Sequence, residues 1–220
     1  MHFLTSLVLL LASVVLPVDD GENAPDRVLA VTTNIPCDVT YVPGYGITSI
    51  PSLGLEYYPS GHGRFSFGLD LECPMWANPA NHRYFQINNL TASSRWYFLK
   101  NYKGDYQGLF LYAGAGAGRF SLGWDARGWQ GEGFDVGAGL GWKFRLGKKS
   151  RFFMDMGLAL GWLHAWYDPF VWGNDATRRY YYDFSGAPED FKRRNKGLDW
   201  YGPTRVWVSL GIELFKRKAK

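Results

Sequence analysis

Between Gly133 and Phe144 apolar and small or polar positions alternate without a break. Phe134, Val136, Ala138, Leu140, Trp142 and Phe144 hold one parity, and Gly133, Asp135, Gly137, Gly139, Gly141 and Lys143 hold the other. A period of two is that of a β-strand, whose successive side chains point to opposite faces. The second face is mostly glycine, which weakens a strand and packs nothing, so it does not read as a surface turned to water. Glycine fits where space is scarce, as in the lumen of a narrow barrel. The apolar face then looks outward, and the solvent outside is lipid, which is the pattern of a transmembrane β-barrel.

The alternation recurs along the chain and predicts eight strands, over residues 28–42, 52–58, 64–73, 84–98, 109–122, 133–144, 152–167 and 204–215. The third is clean, with Phe65, Phe67, Leu69 and Leu71 against Ser66, Gly68, Asp70 and Glu72. The fourth loses phase near Asn88 and Asn89, where a bulge is expected. Most of these stretches meet the roughly 9–11 residues that a tilted strand needs to cross a bilayer. Connections at 59–63 and 147–150 read as tight turns, and that at 100–107 as a longer one. The segments 74–82, 123–132 and 168–199, rich in Trp, Asn, Asp and Pro, read as long loops at the opposite end. The fold expected is all-β: an eight-stranded antiparallel up-and-down transmembrane β-barrel. Eight strands enclose room for side chains and no open pore, which excludes a porin.

The ends refine this picture. Residues 3–16 are apolar, too short for a membrane-spanning helix but suited to a secretory signal. Only His2 stands before the run, and no clean A-x-A site follows it. The expected organisation is a signal peptide over 1–17, a linker over 18–27, the barrel over 28–215 and a basic tail over 216–220. Aromatic content of 18% with 27 glycines fits aromatic girdles around a tight interior. A net charge of +4, with no basic patch interleaved with aromatics, gives no footprint for nucleic acid. Two cysteines, Cys37 and Cys73, allow one disulfide in an exported protein but form no disulfide framework.

Charged residues on the glycine face form the main candidate cluster: Arg64, Asp70, Glu72, Asp135, Lys143, Arg145, Asp155, Arg205 and Glu213, together with Glu56. Both signs are present, and buried charges must be paired, so a salt-bridged plug is expected rather than an ion path. Of the four histidines, His164 shares the outward face with Trp162 and Trp166, where an interfacial girdle is expected. A lipid-modifying barrel needs a serine close to such a histidine, and the next serine in sequence is Ser185. The glycine runs contain no G-x-G-x-x-G and precede no helix, and no Cys or His spacing fits a metal, so no cofactor is expected. The long loop carries Arg178, Arg179, Tyr180, Tyr181 and Tyr182, residue types favoured in surface contacts.

Residues 28–215 resemble the small eight-stranded outer-membrane barrels of the OmpX and OmpA transmembrane-domain type. They are more closely similar to a Bacteroidota family of uncharacterised outer-membrane barrels, a domain-of-unknown-function group often found near fimbrial genes. Thr33-Asn34, Leu53-Gly54-Leu55-Glu56-Tyr57, Gly139-Leu140-Gly141-Trp142 and Tyr201-Gly202-Pro203-Thr204-Arg205 carry the likeness. Leu214-Phe215 is similar to the terminal aromatic signal read by barrel-assembly machinery, with five residues following instead of none. The resemblance implies a non-enzymatic protein of the Gram-negative outer membrane, structural or surface-interacting and linked to fimbrial or envelope assembly. Its partners would be outer-membrane lipid, the assembly machinery and a surface or fimbrial protein, and no catalytic residue is carried over. Two other readings compete: a lipid-modifying barrel enzyme, and a soluble lipocalin-like barrel with its apolar face turned inward.

Overall fold

The computed structural model describes residues 28–42, 46–48, 52–59, 64–98, 106–147, 150–173 and 180–216. The expected signal peptide, the linker and all but the first residue of the basic tail lie outside these. Eight long strands are β1 (Val28–Asn34), β2 (Leu53–Tyr58), β3 (Phe65–Glu72), β4 (Arg83–Tyr97), β5 (Gly108–Trp124), β6 (Arg127–Arg145), β7 (Phe152–Trp172) and β8 (Lys196–Lys216). Each pairs antiparallel with its neighbours in sequence, and β8 pairs back onto β1, so the strands form a ring of eight. Val28 opposes Lys216, which brings the start of β1 and the end of β8 to one end of the ring.

The wall is uneven. Strands β1, β2 and β3 have 7, 6 and 8 residues, whereas β7 and β8 each have 21, so one side rises above the other at the end away from the termini. Much of what reads in the sequence as loop is this upper wall. The segment 123–132 is not a long loop: β5 and β6 continue through it and turn at Asp125-Ala126. Its glycines are seats for aromatic rings. Tyr84 opposes Gly123, Gly123 opposes Gly128 and Gly128 opposes Phe170. Across the two glycines the Tyr84 and Phe170 rings stack, with centroids 6.0 Å apart and planes 6° from parallel. Likewise β7 runs on to Trp172 and β8 begins at Lys196, which leaves a shorter connection than 168–199. Residues Met75–Asn78 form a short strand on β4.

Two further expectations are corrected. The register of β4 against β5 is unbroken from Tyr84↔Gly123 to Tyr97↔Phe110, so there is no bulge at Asn88-Asn89. The apparent loss of phase arises because the outward positions Gln86 and Asn88, both exposed, are polar. The first strand ends at Asn34, not at residue 42. Pro36 cannot extend the ladder, and the chain turns through one helical turn, Ile35–Asp38, before a hairpin of Thr40–Val42 with Gly46–Thr48.

The bulges lie in β8 and where it meets β1. Ala159 opposes Arg205 but Leu160 opposes Pro203, so Thr204 is an extra residue. Its effect is to reverse the phase of the strand. Below it Val206 and Leu210 are exposed; above it Asp199 and Tyr201 take the outward positions, opposite His164 and Trp162.

The ring is apolar outside and polar within. Leu53, Leu140, Leu158 and Val206 are 52%, 51%, 45% and 60% exposed, while Glu56, Arg95, Lys143 and Asp155 are 2%, 5%, 1% and 0% exposed. The inward glycines make room for large side chains near the end that holds the termini. A Cβ on Gly157 would overlap Trp207, one on Gly141 would overlap Phe110 and Trp207, and one on Gly211 would overlap Phe153.

Candidate functional site

The interior holds two charge clusters stacked along the ring. In the lower one, Glu56 on β2 is the hub. Arg95 Nη1 donates to its Oε2 at 3.0 Å, Ser66 Oγ and Tyr97 OH donate to its Oε1 at 2.6 and 3.2 Å, and Lys143 Nζ stands 3.8 Å away. Arg95 also reaches Asp155 Oδ2 at 3.4 Å. Lys143 donates to Tyr58 OH and lies 3.7 Å from the centre of the Phe153 ring. Two cations thus meet two carboxylates, with phenol, hydroxyl and ring faces filling the gaps. Burial of such charges is tolerable only under this kind of mutual pairing.

The upper cluster centres on Arg205, which donates to Glu72 Oε1 at 3.0 Å and lies 3.2 Å from Asp70 Oδ2. Asn34 Nδ2 donates to the same Glu72 oxygen at 2.8 Å, and Asn34 Oδ1 accepts the Val208 N–H at 3.2 Å. Asp135 sits beside this group, against Gly116. A third pair stands at the terminal end, where Arg145 Nη2 donates to both oxygens of Glu213 at 3.0 and 3.1 Å. Arg64 is corrected: it precedes β3, is exposed, and stands at the strand end rather than inside.

The central cation of the lower cluster, Arg95, is absent from the residues expected on the glycine face. Its signal was present, since Thr91, Ser93, Arg95 and Tyr97 alternate with Leu90, Ala92, Ser94 and Trp96. The polar outward positions above them obscured the phase.

On the outer wall, His164 lies between Trp162 and Trp166, with its ring centroid 4.5 Å from that of Trp166. Its Nδ1 is 2.8 Å from Asp199 Oδ1, which also accepts the Trp162 Nε1–H at 2.8 Å. Alternation read upward from Val206 would turn Asp199 inward; the extra residue Thr204 turns it out to meet His164. Of the loop residues, Arg178 and Arg179 lie outside the described ones. Tyr180–Tyr182 form a short strand on the end of β7, and Tyr181 and Tyr182 are exposed. The returning segment is latched by Arg194, whose Nη1 donates to Asp168 Oδ2 at 2.7 Å and to the Gln130 carbonyl at 2.8 Å. Among the described residues no cluster of His, Cys, Asp and Glu could hold a metal ion.

The model of one protein family, described as a protein of unknown function (DUF3575), matches residues 6–211. The chain belongs to that family. The match spans the whole ring but for the last residues of β8, so both charge clusters and the Asp199–His164 pair lie within the family's own extent. No curated protein and no solved structure matches the chain.

Proposed function

We propose that this chain is an integral β-barrel of the Gram-negative outer membrane, non-enzymatic, with a structural or surface-interaction role in the cell envelope. The inverted polarity of the ring carries the reading: a continuous exposed wall of Leu, Val, Phe and Trp encloses paired charges. In water such a wall would be a large aggregation-prone surface, whereas in a bilayer it is the favourable one. From Phe134 to Phe144, at ~3.3 Å per residue and a tilt of ~40°, the band rises ~25 Å. Aromatic groups mark both borders. Phe65, Trp96 and Phe98 lie together near the terminal end, and Phe134, Trp162 and Trp166 surround His164 towards the other. A soluble lipocalin-like barrel would need the reverse polarity. The lipid-modifying alternative would need a nucleophile beside His164; the imidazole's near partner is the carboxylate of Asp199.

The filled interior supports a scaffold rather than a conduit, and the tall wall with its latched loop supports contact with a surface or fimbrial protein. Barrel-assembly machinery and outer-membrane lipid are the partners that insertion itself requires. The test is extraction of isolated envelopes with alkaline carbonate or urea, followed by electrophoresis with and without boiling. The protein is expected to stay in the pellet and to migrate differently once boiled; release into the supernatant would overturn the reading.

A further inference from the structure

We propose that Cys37 and Cys73 are partners in a disulfide that pins the helical turn after β1 to the end of β3. The inference rests on the exported location argued above, because disulfides persist in oxidising compartments. These are the two cysteines of the chain, and both are half-buried thiols at the same end of the ring.

One side chain ties their surroundings together. Asn34 Nδ2 lies 3.5 Å from Cys37 Sγ and donates at 2.8 Å to Glu72 Oε1, and Glu72 is the residue directly before Cys73. The turn that carries Cys37 is held in place by its last residue. Asp38 accepts the Ser52 N–H at 2.5 Å and the Thr33 hydroxyl, and Thr33 Oγ1 also contacts the Ser52 carbonyl at 2.9 Å. On the other side Pro74 ends β3, while its carbonyl accepts the Ile87 N–H at 3.1 Å, so Cys73 is fixed between two anchored residues. Both cysteines therefore sit on ordered backbone at the end of the ring away from the termini, Cys37 just after β1 and Cys73 directly after β3.

Accessibility sets the order of events. Burial, then Glu72 and Asp38, push the Cys37 thiol up to about 12, with a further upward push from Cys73 itself. Burial and Glu72 also raise Cys73, which is the less enclosed of the two. The nucleophile in exchange is the thiolate. Cys73, the more accessible, loses its proton and attacks the disulfide of a protein thiol–disulfide oxidoreductase. An S–S bond forms to Cys73 and one oxidoreductase thiolate leaves. Cys37, deprotonated in turn, attacks Cys73 Sγ and expels the second thiolate. Two electrons and two protons pass to the oxidoreductase, which ends as a dithiol, and the Cys37–Cys73 bond remains. The product closes a loop from Cys37 to Cys73 that contains all of β2, the shortest strand of the ring, and all of β3.

The test counts thiols on the full chain. Envelopes are quenched in acid, denatured without reductant and treated with a maleimide-linked polymer; a parallel sample is reduced first. We expect no adduct without reductant and two adducts after it, on a monomeric band, whereas Cys37→Ser should show one adduct without reductant. Two adducts without reductant, or a reductant-sensitive dimer as the main species, would overturn the proposal. The same cells are fractionated. Free thiols on a protein in the outer membrane would sink the disulfide alone, and free thiols on a protein in the cytoplasm would sink the exported location with it.

Discussion

Arg95 and Glu56 lie 3.0 Å apart at the centre of the ring, both almost wholly buried, on strands separated by β3. Each would be costly alone, and their contact is what makes the burial of both charges tolerable. Arg95→Met leaves Glu56 and Asp155 facing one remaining cation, Lys143, and should cost about 3–5 kcal/mol. The double variant Arg95→Met/Glu56→Gln should recover a substantial part of that loss. Urea titrations of protein refolded into detergent or lipid, read by the mobility shift on boiling, measure both. Equal stability of the single variant and the unaltered chain would mean that the pair is not held together in the folded protein.

The phase reversal at Thr204 gives a second expectation. Deleting Thr204 removes the extra residue and leaves Asp199 and Tyr201 outward, opposite His164 and Trp162, with β8 in plain alternation. The deletion should therefore leave the urea midpoint nearly unchanged, while Asp199→Leu, which takes the carboxylate from His164 and Trp162, should lower it. A clear fall in the deletion variant with none in Asp199→Leu would show that the bulge itself, and not the Asp199–His164 contact, holds the upper part of β8.

What was legible in the sequence follows from how strongly each position is constrained. Inside the apolar band, alternation is enforced twice, by the exposed apolar face outside and by lack of space inside. Leu140, Gly139 and Gly141 therefore read directly as strand, and both faces of β3 can be assigned by eye. Above the band only main-chain pairing is enforced. Gln86 and Asn88 then hide the parity of Arg95, and Gly123 and Gly128 resemble loop glycines although they seat Tyr84 and Phe170. The Asp199–His164 pair was hidden for another reason, because one inserted residue changes no composition but reverses every assignment beyond it.

The latch at Arg194 makes the long connection testable from outside the cell. Trypsin added to intact cells should cut near Lys192, Arg193 and Arg194 or in the Arg178-Arg179 pair. Asp168→Asn, which removes the charge that Arg194 Nη1 meets at 2.7 Å, should speed cleavage at the first group several-fold. The rate of appearance of the fragments on a gel measures this. Protection in intact cells with cleavage after lysis would place this connection on the inner side.

The account turns on which face of the wall meets lipid, and adjacent residues of β6 test it most directly. Leu140 is exposed on the outer face, and a Cβ on Gly139 would overlap the backbone of β7 at Leu158 and Ala159. Leu140→Arg should cost about 2–4 kcal/mol near the bilayer midplane. Leu140→Phe should be nearly neutral because lipid yields to a larger side chain, whereas a packed interior would lose about 1–3 kcal/mol. Folding titrations in lipid vesicles that compare Leu140→Phe with Gly139→Phe decide the matter. The account predicts a tolerant Leu140 beside an intolerant Gly139; a tolerant Gly139 beside an intolerant Leu140 would contradict it.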